Sequence, residues 1–420
     1  MKEGNVESVA KRLQLIDAVF AASLYFGLDQ NNHTLSLGLL ICWIGIRCSQ
    51  QIWKSKNNKT WADITIPCII IFGLTAFHAR AIIQLDDNPG GAIYILTAAF
   101  LYLGSLYSLH QKKVLLKWIS GAAIAAYLKM MLEGTTSGYN LLHKTWMVDI
   151  NNNVHAMGFG RINSLASMIA FFTIIALYGL RTNKHSAAKA LHAASLAGGY
   201  FLCWQSNSEM ALGAPLLAAT VALLICKKDY FARKTLNEHR IFILGVITSL
   251  SLLLTWQLSF KAKFFSAIDR GQLLTGGEQW RLEQWRCWLE NSIFAGNNKI
   301  VHGIGFDIQE ISQRCGNNNP DGGLAQFISQ HGLLGALALL FLLMLCTKSI
   351  FQLRKSETNL SLKSGLLRCR WSEVAFGTMA TVLLCNLITP SYSASYLNAS
   401  LTGLIFSLGI YTTPSQELKR

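Results

Sequence analysis

The sequence predicts an all-α polytopic membrane protein of about twelve transmembrane helices with one large external loop, and three observations carry that expectation. Hydrophobic residues fill 51% of the 420 positions and charged residues only 14%, with a mean hydropathy of +0.33. Apolar runs of about the ~20 residues that a bilayer core requires recur along the chain, separated by brief polar connectors. Lys and Arg gather in alternate connectors, as expected where positive charge holds a connector in the cytoplasm. A large soluble protein buries a few apolar helices rather than a dozen, so a soluble fold is disfavoured.

In chain order the expected spans are 13–29, 33–49, 64–82, 91–109, 114–132, 163–180, 190–205, 209–226, 240–260, 324–346, 374–389 and 396–412, with 190–205 the weakest. No cleavable leader is evident, and the first span is expected to act as its own insertion signal. One set of connectors carries Lys54, Lys56 and Lys59; Lys112, Lys113 and Lys117; Arg181, Lys184 and Lys189; Lys227, Lys228, Arg233 and Lys234; and Lys348, Arg354, Lys355, Lys363, Arg368 and Arg370. These are expected in the cytoplasm with both termini. The segments 29–33, 86–89, 133–162, 205–207, 261–323 and 390–395 then face outward, or into the periplasm of a bacterium with two membranes. The chain reads as one integral membrane domain over 1–420, with 261–323 as its large outer loop and 133–162 as a second.

The formal charge of +15 lies mostly in the inner connectors, where topology and anionic lipid account for it. No nucleic-acid motif accompanies it, so nucleic acid is not an expected partner. Topology leaves unexplained the outer cations Arg161, Lys261, Lys263, Arg270, Arg281, Arg286, Lys299 and Arg314. An anionic ligand is expected to meet some of them. Arg161 follows Gly158-Phe159-Gly160 and precedes a span, where a helix N-terminus favours an anion, although snorkelling to lipid phosphate fits equally.

Within the large loop, Glu278 to Asn291 reads as a short amphipathic helix. Arg281, Trp285 and Trp288 stand at i, i+4 and i+7 and share one face, which suits a helix lying flat at the membrane–water boundary. Gly303-Ile304-Gly305 and Asn317-Asn318-Asn319-Pro320-Asp321-Gly322-Gly323 are turn chemistry, and a GxG alone is a weak signal. Most of the ten cysteines are apolar filler in spans, but Cys287 and Cys315 both fall in the outer loop, where an oxidising compartment would let them pair. No CxxC or HExxH spacing is present, so neither metal nor other cofactor is expected.

Taken in order, Arg281-Leu282-x-x-Trp285, Gly303-Ile304-Gly305 and the span start Gly332-Leu333-Leu334-Gly335 resemble the O-antigen ligase and O-antigen polymerase superfamily. The resemblance implies an inverting glycosyltransferase that takes a glycan from undecaprenyl diphosphate in the inner membrane. Ligases pass the glycan to lipid A-core and polymerases pass it to another repeat unit; chain length and a single dominant loop favour a ligase. Arg281 matches the family's loop arginine, and Arg161 lies near another arginine that the family uses beside the diphosphate. Asp321 stands where the family carries a His, and Glu209, in Ser208-Glu209-Met210, stands where it carries an arginine.

The resemblance therefore implies Arg281 as a catalytic residue, with Asp321 or His302 accepting the proton of the acceptor hydroxyl. Arg161, Arg286, Trp285 and Glu209 are the expected contacts to diphosphate or sugar, Glu209 also by pairing with an arginine. Arginines that balance the diphosphate charge leave no need for a metal. His331 is read as a packed or lumen-facing histidine within the span. Two rival readings stand. A lipid-linked oligosaccharide flippase or transporter would place charge inside the spans, where only Arg80 and Lys129 qualify, both near span ends. A binding protein without transfer would explain the departures at Asp321 and Glu209.

Overall fold

The computed structural model describes residues 42–43, 45–46, 97, 99–101, 104, 109–136, 162–183, 185–206, 209–226, 276–294, 296–305, 309–316, 323–364, 371–388 and 396–408. Its elements are α1 (Leu109–Thr136), α2 (Ile162–Thr182), α3 (Ser186–Ser206), α4 (Glu209–Cys226), α5 (Gly276–Ser292), α6 (Asn297–His302), α7 (Gln309–Cys315), α8 (Gly323–Ser364), α9 (Trp371–Ile388) and α10 (Tyr396–Leu408). All are helical, and no strand occurs among the described residues. The expected spans 114–132, 163–180, 190–205, 209–226, 324–346, 374–389 and 396–412 each coincide with one of these helices. Those at 13–29, 33–49, 64–82, 91–109 and 240–260 lie wholly or largely outside the described residues, as does the loop 133–162.

α2 is the hub of the bundle. Its sequence is free of charge from Ile162 to Leu180, and a helix that is apolar all round is a helix surrounded by others. From Met168 to Tyr178 every side chain is buried, and α1, α3, α4, α9 and α10 all pack on it. Close approach depends on small residues, as at other helix pairs without bulky interface side chains. A Cβ at Gly179 would strike the His192 ring of α3, and one at Gly377 of α9 would strike the Tyr178 hydroxyl. The buried His192 is held on both ring nitrogens: Asn183 Nδ2 donates to Nε2 at 2.9 Å, and Nδ1 meets Ser120 Oγ at 2.8 Å. Because Asn183 Nδ2 is the donor, Nδ1 carries the proton and the imidazole is neutral.

The polar contacts of the bundle join ends that the Lys and Arg distribution assigns to one side. Arg181, at the C-terminus of α2, pairs with Glu373 in the first turn of α9 at 2.5 Å, each in the position its helix dipole favours. Lys112 donates to Ser407 O at 2.9 Å, and the Trp371 indole to Leu408 O at 3.3 Å. Glu357 accepts from the backbone N–H of Trp371 at 2.5 Å and of Ser372 at 3.2 Å, so α9 is capped by a carboxylate from α8. This contact explains one difference from the sequence reading. α8 does not end near 346 but continues to Ser364 through Lys348, Arg354 and Lys355, which are good helix formers, until Gly365 follows in the sequence.

Among the described residues one helical segment, Gly323–Lys355 of α8, is long and apolar enough to cross a membrane by itself. Leu333, Leu337, Leu340 and Met344 follow one another along one face of it and stay exposed, as a lipid-facing stripe would. α8 is not one rod, however. Its path breaks at Gly332 (φ 61°, ψ −156°), so an initial helix from Gly323 to His331 gives way to the apolar rod that begins at Leu333.

Candidate functional site

The short helices α5, α6 and α7 form a unit on the first turns of α8. α5 has no interior Pro, and from Glu278 onward no Gly, so it runs unbroken to Ser292. Its exposed side holds Leu282, Glu283, Arg286 and Glu290; Trp288, two turns on from Arg281, is fully buried against Ile304, Ile311, Cys287 and Cys315. Trp288 therefore belongs to the loop's own core. Trp285, on the same face, is half-buried.

Cys287 and Cys315, whose pairing the sequence left open, are bonded, with Cα atoms 6.0 Å apart. The bond fastens α5 to α7 and closes the segment that contains α6 and Gly303-Ile304-Gly305. Gln284 Nε2 adds a bond to Cys315 O at 3.3 Å. Closing a loop with a sequence separation of 28 is worth about 3–4 kcal/mol in the chain-entropy account.

Gly303-Ile304-Gly305 has a specific task in this unit. In an unbroken α8 the carbonyls of Ser329 and Gln330 would accept from the N–H groups four residues on, and the break at Gly332 removes those donors. Ile304 and Gly305 replace them: Ile304 N–H donates to Ser329 O at 3.0 Å and Gly305 N–H to Gln330 O at 2.9 Å. The two backbones come so close that a Cβ on Gly332 would lie 2.5 Å from Gly303 N and 2.7 Å from Val301 O. A Cβ on Gly303 would strike Gln330 O. Both glycines also have positive φ, at 71° and 61°. Each position thus excludes side chains twice, by space and by conformation.

Two His-Gly dipeptides meet at this crossing. His302 ends α6, is exposed, and donates from Nδ1 to Gly303 O at 3.0 Å, which leaves Nε2 as the nitrogen with a lone pair. His331 is buried to 2% exposure against the Phe327 ring, with centroids 4.7 Å apart. It occupies the last position before the break rather than a place deep in an uninterrupted span. In the sequence this arrangement is marked by a glycine between strong helix formers and by a second His-Gly upstream to match it.

The other expected site residues divide as follows. Trp285 is half-buried on the inner side of α5, and by register Arg281 shares its face and that of Trp288; the Arg281 side chain is outside the described residues. Arg286 points away, exposed and paired with Glu290 at 2.7 Å, and this hydrogen bond raises its guanidinium pKa further. Glu209 is the first residue of α4, with its side chain outside the described residues, and Arg161 and Asp321 lie outside them entirely. The structure brings Trp285 and His302 into one unit and turns Arg286 out of it.

The same unit encloses polar atoms that have no partner among the described residues: Gln284 Oε1, the indole nitrogens of Trp285 and Trp288, Gln326 Oε1 and Ser329 Oγ. An indole N–H or a side-chain amide has no ready carbonyl on its own helix, unlike a serine hydroxyl. Among the described residues no group of His, Cys, Asp and Glu is arranged to hold a metal. No protein-family model matches the chain, and no curated protein matches it either.

Proposed function

We propose that this protein is a membrane glycosyltransferase of the O-antigen ligase type, moving a glycan from undecaprenyl diphosphate to lipid A-core at the outer face of the bacterial inner membrane. The observation that carries the reading is the disulfide-fastened loop unit seated on the break in α8, where the helix of Arg281 and Trp285, His302 and the head of a lipid-facing rod share one assembly. A donor with a polyprenyl tail and a diphosphate–sugar head needs that combination of surfaces.

In the transfer, an acceptor hydroxyl oxygen attacks the anomeric carbon, its new C–O bond forms, and the bond from that carbon to the diphosphate oxygen breaks. Arg281, with Arg161, balances the charge gathering on the leaving diphosphate. The hydroxyl proton passes to His302 Nε2, whose tautomer is set by the Nδ1 bond to Gly303 O. Asp321 is the other base the sequence offers, and a neighbouring arginine would hold it ionised but weakly basic. The disulfide favours an oxidising compartment for the loop, in keeping with a periplasmic site and cytoplasmic termini.

A gene deletion followed by gel analysis of the surface glycan tests the reading. Polymer stranded on the carrier lipid is the expected result. Single repeats on the core would mean a polymerase of the same superfamily, and an unchanged ladder would sink the assignment.

A further inference from the structure

At the break in α8 two backbone segments meet with no side chain between them. Gly303 and Gly332 cross with their backbones in contact, each at positive φ, and two hydrogen bonds from Ile304 and Gly305 fasten the crossing to the free carbonyls of the broken helix. Helix ends are commonly capped by their own following residues or by water. Here the first part of α8 is capped from a distant segment, and that segment begins at the carbonyl which fixes the His302 ring. A third glycine, Gly316, has a similar φ of 68° with nothing near its missing Cβ, so backbone conformation alone does not require such contact.

We propose that Gly303 and Gly332 are positioning residues for His302: their crossing fixes Gly303 O, which holds Nδ1–H and so aims Nε2 out of the unit toward the acceptor hydroxyl. The inference rests on the transfer reading only for what Nε2 does; the aiming of the ring is a statement about geometry. Adding one methyl at Gly332 pushes the Val301–Gly303 backbone away from α8 by an ångström or more. A displacement of that size at a reacting group costs about a hundredfold in rate, and it leaves donor binding on α5 largely untouched.

The test uses the full-length protein in proteoliposomes, with undecaprenyl-diphosphate-linked glycan and rough-type lipopolysaccharide as substrates. Gly332→Ala is expected to lower kcat by at least about tenfold with the donor KM changed less than about threefold. Gly316→Ala, at a glycine that also has positive φ but lies away from the crossing with open space around its Cβ position, is expected to do neither. Imidazole in the buffer should restore part of the activity of His302→Ala but none of that of Gly332→Ala. Independently of activity, the rate at which diethyl pyrocarbonate modifies His302, read by mass spectrometry, should shift at least about threefold in Gly332→Ala.

Equal losses in Gly316→Ala and Gly332→Ala, or an unchanged modification rate in a folded Gly332→Ala protein, would overturn the proposal. If Gly332→Ala does not fold, hydrogen exchange on the wild-type protein decides: slow exchange at the Ile304 and Gly305 amides is required, and exchange at the unprotected rate refutes the crossing. A wild-type protein that transfers no glycan yet passes the exchange and modification tests would refute the function and leave the positioning intact.

Discussion

Arg281 and His302 divide the proposed chemistry between charge and proton. Replacing Arg281 with Ala should lower transfer by about 10²–10³, the usual effect of removing one preorganised donor from a developing anion. Lys at that position should recover little, because an ammonium cannot grip two diphosphate oxygens in the planar way a guanidinium does; both variants are read by in vitro transfer at saturating donor. His302→Ala should cost about 10²–10⁴ and Asp321→Asn much less, since Nε2 of His302 is exposed with its tautomer fixed. The reverse order in the same assay would move the base to Asp321. Arg286→Ala should change transfer less than about threefold, because that side chain is exposed and already paired with Glu290 on the outer side of α5.

At the scale of elements, two links hold the architecture and each has its own signature. The Cys287–Cys315 bond fastens α5 to α7, and breaking it by Cys287→Ser, Cys315→Ser or both should lower the stability of the loop unit by about 3 kcal/mol, equally in all three variants. A thiol count on the denatured but unreduced native protein checks the premise: neither cysteine should react. Arg181–Glu373 is a link of another kind, a charge pair with Glu373 almost wholly shielded. Glu373→Gln breaks this buried charge pair between α2 and α9, and should cost about 3–5 kcal/mol in thermal unfolding of the detergent-solubilised protein. The pair also lies far from the loop unit in the chain, so transfer per folded molecule should be unchanged.

For the whole molecule, the contacts among Arg181, Glu373, Glu357, Trp371, Lys112 and Ser407 gather ends that the distribution of Lys and Arg assigns to the cytoplasm. The loop unit stands at the other end of α8. Single cysteines placed at Lys59 and at Lys299 in a background without other reactive thiols should therefore label oppositely with a membrane-impermeant maleimide in intact spheroplasts: Lys299→Cys reacts, Lys59→Cys does not. Labelling of both from the same side would remove the periplasmic site, and the ligase reading with it.

Helix positions were legible because they follow from composition that acts locally. A run such as Ile162 to Leu180 has no charge to solvate and no breaker, so it is a helix with other helices around it whatever else the chain does. The α5 helix and the common face of Arg281, Trp285 and Trp288 followed from spacing alone, and Cys287 and Cys315 stood apart by lying in the polar segment rather than in the apolar runs. What covers Trp288 was not legible, because periodicity says which residues face together and not what they face; only packing decided that Trp288 meets Ile311 and Ile304. The same holds for Gly303-Ile304-Gly305, an ordinary turn in sequence that becomes the cap of a helix broken at Gly332. A backbone donor carries no side-chain signature, so its partner in a distant segment is fixed by tertiary structure alone.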